Sequence, residues 1–276
     1  MPAFLALLAA LSWGLADFLG GHTSRRMPTA LVMVWSQAVG LVCILLVLGI
    51  GGWRTPGSYL WWGVAAGFFG IFGTGFFYRA LALGTMSVVA PIAGTGLVVP
   101  VVAGLAAGER PSVLALAGIG LAALGVILAS GPELRGEGVR RTSVIYACCA
   151  AVGFGGALAV IPRAGEGRWA MTTGAMTLVS LVLVLAYVLA RPPSAPGFAG
   201  MDPSPVVAIG VLNVAAVSLY AVSSDMGLVA VVSVLASLYP VVTVILAQVV
   251  YQERLRGIQL AGVGAALAGV VCLAAG

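Results

Sequence analysis

One segment of this chain occurs twice. The run LAGIGLAALGV at Leu116–Val126 returns 144 positions later as LAGVGAALAGV at Leu260–Val270. At the same offset Glu109-Arg110 returns as Glu253-Arg254. Near the start of each copy, Ala9–Ala16 lines up with Ala150–Ala157. Both copies lie in apolar sequence long enough to cross a membrane several times, and a duplicated membrane bundle is a known way to build a transport path.

Composition sets the solvent. Hydrophobic residues make up 61% of the 276, charged residues 8%, and the mean hydropathy is +1.14. A soluble domain needs far more polar surface. A bilayer core of about 30 Å takes roughly 20 helical residues, and backbone groups in lipid must pair within a helix or a closed barrel. Barrel strands alternate over about ten residues. These runs are continuously apolar and twice as long, so they predict helices. Ten spans are expected at 2–21, 29–50, 58–83, 85–107, 112–130, 142–163, 170–190, 205–225, 228–250 and 256–275. Met1 leads almost directly into the first, which lacks a basic n-region and is read as a retained helix.

Five spans per copy is an odd number, so the second copy enters from the opposite face. The expected fold is an all-α integral membrane protein of ten transmembrane helices in two inverted five-helix repeats. The repeats are placed at 1–131 and 142–276, joined by a loop at 132–141. Gly63, Gly67, Gly70 and Gly73 form a small-residue face in the third span, the pattern of close helix packing in lipid.

The same features exclude other classes. All thirteen basic residues are arginine, giving a net charge of +5 and a pI near 9.3. They lie singly or in pairs at span ends, with no basic stripe, so nucleic acid is not an expected partner. Gly118–Ala123 reads as GxGxxA, yet a dinucleotide fingerprint needs a preceding strand, and this one lies within a membrane span. No HExxH, GxSxG or GxxxxGK pattern occurs, and His22 is the only histidine. Cys43, Cys148, Cys149 and Cys272 show no CxxC spacing and read as small core residues. No enzyme, metal or cofactor is expected.

Charge at the centre of a bilayer costs at least ~2.5–3.5 kcal/mol, so charged residues there face the bundle interior or have partners. Asp17 sits about four residues from the end of the first span and Arg79 about four from the end of the third. These spans run in the same direction, so an ion pair at one mouth is geometrically open to them. A substrate or proton role for Asp17 is the alternative, and Leu158, not an acid, is its repeat equivalent. By repeat logic Arg163 and Asp225 offer a second pair at the opposite mouth with signs exchanged, a gate candidate, with interfacial anchoring as the alternative. Trp13 and Phe154 are equivalent positions suited to the walls of a cavity. Tyr78, Thr95, Tyr220 and Tyr239, with Gln37, Asn213 and Gln248, can hydrogen-bond a solute or a neighbouring helix. Pro91, Pro100 and Pro240 lie inside spans four and nine, and broken helices in both copies point to a binding site. Pro91 and Pro240 are therefore hinge candidates.

Ser12-Trp13-Gly14, Gly108-Glu109-Arg110, Tyr239-Pro240, Glu253-Arg254 and the glycine-rich last helix together resemble the drug/metabolite transporter superfamily, EamA type. The resemblance covers essentially the whole chain. It implies a multi-pass carrier of the inner membrane with a central cavity and both termini in the cytoplasm. It also implies alternating access and, often, export of amino acids or related metabolites. A proton is one candidate coupling ion. A lipid-carrier flippase or sugar importer of the same superfamily, and a non-transporting scaffold, are the rival readings. Two features depart from the pattern: the second-to-third connection carries only Arg54, and Gly96 stands where the second copy has Pro240. The implied orientation puts four arginines inside and nine outside, against the positive-inside rule. Solute, direction and oligomeric state are not fixed by these residues.

Overall fold

The computed structural model describes residues 1–53, 55–84, 86–129, 141–165, 167–192, 202–251 and 257–275. Arg54, Arg135, Arg140, Glu253, Arg254, Arg256 and most of the expected 132–141 loop lie outside the described residues. The described residues are mostly helical, joined by short turns, with no strand among them. In chain order the first half contains α1 (Pro2–Ser24), α2 (Thr29–Val47), α3 (Tyr59–Leu83), α4 (Met86–Gly94), α5 (Val98–Ala106) and α6 (Val113–Ala129). The second contains α7 (Arg141–Val160), α8 (Trp169–Ala190), α9 (Ser204–Met226), α10 (Val229–Ala236), α11 (Tyr239–Tyr251) and α12 (Gly257–Ala275). Among the described residues, seven helical stretches are long and apolar enough to cross a membrane, and shorter apolar helices accompany them.

The twelve described helices make ten passes, because the fourth and ninth are each broken. A 3₁₀ turn at Thr95–Leu97 separates α4 from α5, and Ser237-Leu238 separates α10 from α11. At the repeat offset of 144, Gly96 matches Pro240, so the two breaks fall within a few residues of each other. Pro100 lies in the first turn of α5 and Pro240 is the second residue of α11. First-turn N–H groups have no intrahelical acceptor, so the N–H that proline lacks is not missed there. Pro91 lies inside α4, away from the break, and its side chain is outside the described set.

The halves are interleaved. The main neighbours are α6 with α12, α3 with α7, α1 with α9, α3 with α8, and α2 with both α8 and α9. Exchanging the first half for the second maps this list onto itself: α3–α7 becomes α9–α1, and α3–α8 becomes α9–α2. The same exchange turns the packing of α1 on α10 and α11 into that of α7 on α4 and α5. The bundle therefore has an internal two-fold relation between the repeats.

Glycine makes these contacts possible where lipid supplies no hydrophobic drive between helices. A methyl group added at Gly125 of α6 would lie 2.7 Å from Ala266 Cα, and one at Gly269 of α12 would lie 2.9 Å from Ala122 Cα. Gly269 and Ala266 are the repeat equivalents of Gly125 and Ala122, so this contact is reciprocal. The glycine face of α3 packs on α8, with Gly63 against Thr172 O and Gly67 against Met176 O. Hydroxyls tie the ends: Ser223 Oγ donates to Pro2 O at 2.7 Å, and Ser143 Oγ to Ala80 O at 2.9 Å, near equivalent positions. Cys148 differs from its expected place; it is exposed on the outer surface of α7 and not in the core.

Candidate functional site

A cavity of about 90 Å³, room for several waters, lies between the halves and is walled by α1, α2, α3, α7, α8, α9 and the start of α11. Each helix contributes a stripe at three- or four-residue spacing, the period that aligns side chains on one face. Trp13 and Asp17 come from α1, Met33 and Gln37 from α2, and Gly70, Thr74 and Tyr78 from α3. Phe154, Leu158 and Ile161 face them from the end of the sixth pass, with Gly210, Asn213 and Val217 from α9. Tyr239 enters exactly one residue after the break in the ninth pass.

The aromatic walls touch. Tyr239 stands between the two equivalent rings, its centroid 6.5 Å from Trp13 and 6.1 Å from Phe154, edge-on to both. Behind them the repeat shows again: Trp13 packs on Tyr220 at 5.9 Å and Phe154 on Phe77 at 5.5 Å. The hydroxyl of Tyr239 is buried and has no hydrogen-bond partner among the described residues.

Asp17 is 8% exposed and lies within electrostatic reach of Tyr78 and Tyr239. Among the described residues no hydrogen bond or ion pair engages its carboxylate. Several neighbouring hydroxyls are turned away to backbone carbonyls. Ser36 Oγ donates to Met33 O at 3.1 Å, Thr177 Oγ1 to Thr173 O at 2.8 Å, and Ser180 Oγ to Gly67 O at 3.1 Å. Asp17 is thus a buried acid facing a cavity.

The structure separates the expected residues into two groups. Trp13, Asp17, Tyr78, Phe154 and Tyr239 line the cavity, as do Gln37 and Asn213. Arg79 does not; it is exposed, and no ion pair joins it to Asp17. Equal depth suggested that pair, but successive helical residues point about 100° apart, so a cavity-facing Tyr78 turns Arg79 outward. Thr95 is also exposed, its hydroxyl bonded to Ile92 O at 2.6 Å. Tyr220 lies one layer behind the wall, donating to Leu158 O at 2.7 Å and sharing a 2.7 Å bond with Ser233 Oγ. Arg163 stacks over Trp62 at 5.6 Å at the surface, and Asp225 accepts a 3.1 Å bond from the Gly167 N–H. Pro240 adjoins the cavity through Tyr239. Sequence reasoning missed Ser36, Thr74, Thr177 and Ser180; the Gly70–Thr74–Tyr78 spacing was the available signal.

The comparisons with known proteins agree with this architecture. The sequence profile of the EamA-like transporter family matches residues 1–131 and matches again at 141–275. A solved crystal structure aligns over 98% of this chain and 95% of its own, with TM-score 0.71 at 20% identity. At that identity the likeness concerns the fold. No curated protein matches the sequence.

Proposed function

We propose that this chain, which belongs to the EamA-like transporter family, exports an amino acid or related amine-bearing metabolite by alternating access. The carried group is the ammonium, received by Asp17. The observation behind this is a buried carboxylate with no ion-pair or hydrogen-bond partner among the described residues, beside Trp13, Phe154 and Tyr239. A cation gains from both features: ion pairing with the carboxylate and attraction to aromatic faces. No arginine or lysine is among the described cavity residues, so an anion would lack a counter-charge there. The amides of Gln37 and Asn213 suit the carboxylate of a zwitterionic solute. A cavity of about 90 Å³ favours a small solute over a lipid carrier.

The same group supplies a coupling device. An uncompensated carboxylate at membrane depth is costly, so Asp17 holds either a proton or the ammonium of the solute. When the solute binds, the carboxyl proton leaves to water on the solute's side of entry. When the solute is released, a proton from the opposite face replaces it. The broken fourth and ninth passes fit the rocking elements, since half-helices can reorient about the break.

The test is flux in proteoliposomes under an imposed pH gradient, with a panel of labelled amino acids and amines. Asp17→Asn is expected to abolish gradient-driven uptake while the thermal midpoint stays near that of the parent. Parent-like flux with unchanged pH dependence would remove Asp17 from the mechanism.

A further inference from the structure

A second pocket lies at one end of the bundle and shares no lining residue with the central cavity. Its volume is about 670 Å³, and Tyr59, Trp62, Arg163 and Arg168 supply its main side chains. Tyr59 and Trp62 come from the first turn of α3; the arginines flank the connection between the sixth and seventh passes.

Both guanidinium groups are held. Arg163 lies over the Trp62 ring, 5.6 Å from its centroid, and Arg168 lies over Tyr59 at 5.3 Å. Arg168 Nη1 also donates to Ala164 O at 3.3 Å. Between the arginines, Gly165 has φ +85°, and a methyl group added to it would lie 2.8 Å from Arg168 Nη1. A side chain there is opposed by the left-handed backbone conformation, and the Arg168 guanidinium lies directly beside it. Each guanidinium carries five N–H donors in a planar fork, and Arg163 and Arg168 are exposed. Most of that donor capacity faces the pocket and solvent.

Planar forks match phosphate oxygens in pairs, and stacking on rings reduces the freedom lost on binding. Trp62 and Tyr59 stand at a span end, where aromatic side chains occupy the headgroup level. From this arrangement we propose that the pocket binds a phosphate-bearing anion, clamped between Arg163 and Arg168. A phospholipid headgroup and a soluble phosphate ester are the two sources of that chemistry.

Native mass spectrometry of the detergent-purified full chain separates them, with phosphatidylglycerol titrated in one arm and glycerol 3-phosphate in the other. Arg163→Ala/Arg168→Ala is expected to weaken binding about tenfold or more. Arg25→Ala/Arg26→Ala, at the other membrane face, is expected to leave it within about twofold. Arg163→Lys/Arg168→Lys keeps charge and fold but loses the fork, and is expected to fall between. Arginine-dependent binding of the lipid alone assigns the site to headgroups; arginine-dependent binding of the ester assigns it to a soluble ligand. Parent-like binding by the double alanine variant in both arms overturns the proposal. So does equal loss in the Arg25/Arg26 variant.

Discussion

Two buried tyrosines in contact with Trp13 differ in how their hydroxyls are used, and this difference makes a prediction. Tyr220 is bonded to Leu158 O and Ser233, whereas the Tyr239 hydroxyl has no partner among the described residues. Tyr220→Phe leaves two buried groups short of a bond, a loss of about 1–3 kcal/mol, and should lower the thermal midpoint with little change in solute affinity. Tyr239→Phe removes an unpartnered group and should leave the midpoint nearly unchanged while raising the half-saturation concentration for transport. Thermal scanning in detergent, paired with flux, reads both. Trp13, Asp17, Tyr78, Phe154 and Tyr239 were legible in the sequence because a polar or aromatic group in an apolar span is conspicuous. Arg79 misled because depth in the membrane was readable and azimuth was not. Ser36, Thr177 and Ser180 were illegible because hydroxyls in helices commonly bond back to the preceding turn, as Ser36 and Thr177 do here.

At the level of elements, Glu109 joins the halves. Its carboxylate accepts bonds from the Val229 N–H at 2.8 Å and the Ala230 N–H at 2.9 Å, capping the first turn of α10. A carboxylate also suits the positive end of a helix. Glu109→Ala should therefore cost about 0.5–2 kcal/mol and Glu109→Gln less, both measured as a lowered thermal midpoint. The Glu-Arg pair stands out as a repeated signature, but nothing in its spacing discloses a cap on a helix 120 residues away. The positions of the passes were legible, since apolar length fixes them. The breaks were less so. Pro91, Pro100 and Pro240 pointed to the correct spans without aligning, and the actual interruptions sit at Thr95–Leu97 and Ser237-Leu238.

The whole molecule is two copies of one unit, and its symmetry is testable in the α6–α12 pair. Because Gly125 meets Ala266 as Gly269 meets Ala122, Gly125→Val and Gly269→Val should destabilise by similar amounts, about 1–3 kcal/mol each by overpacking. Unequal shifts in thermal midpoint would contradict the reciprocity. The duplication was visible in the sequence because the last helix of each copy is nearly the same string. The central cavity was not, since it depends on which helix faces turn inward across the two-fold. The proposed alternating access requires this cavity to open to each side of the membrane in turn. Asn213→Cys in a cysteine-free background, probed with a membrane-impermeant thiol reagent added to either face of sealed vesicles, tests it most directly. Labelling from both faces, slowed from both by transported solute, is the predicted result; labelling from one face alone, indifferent to solute, would contradict it.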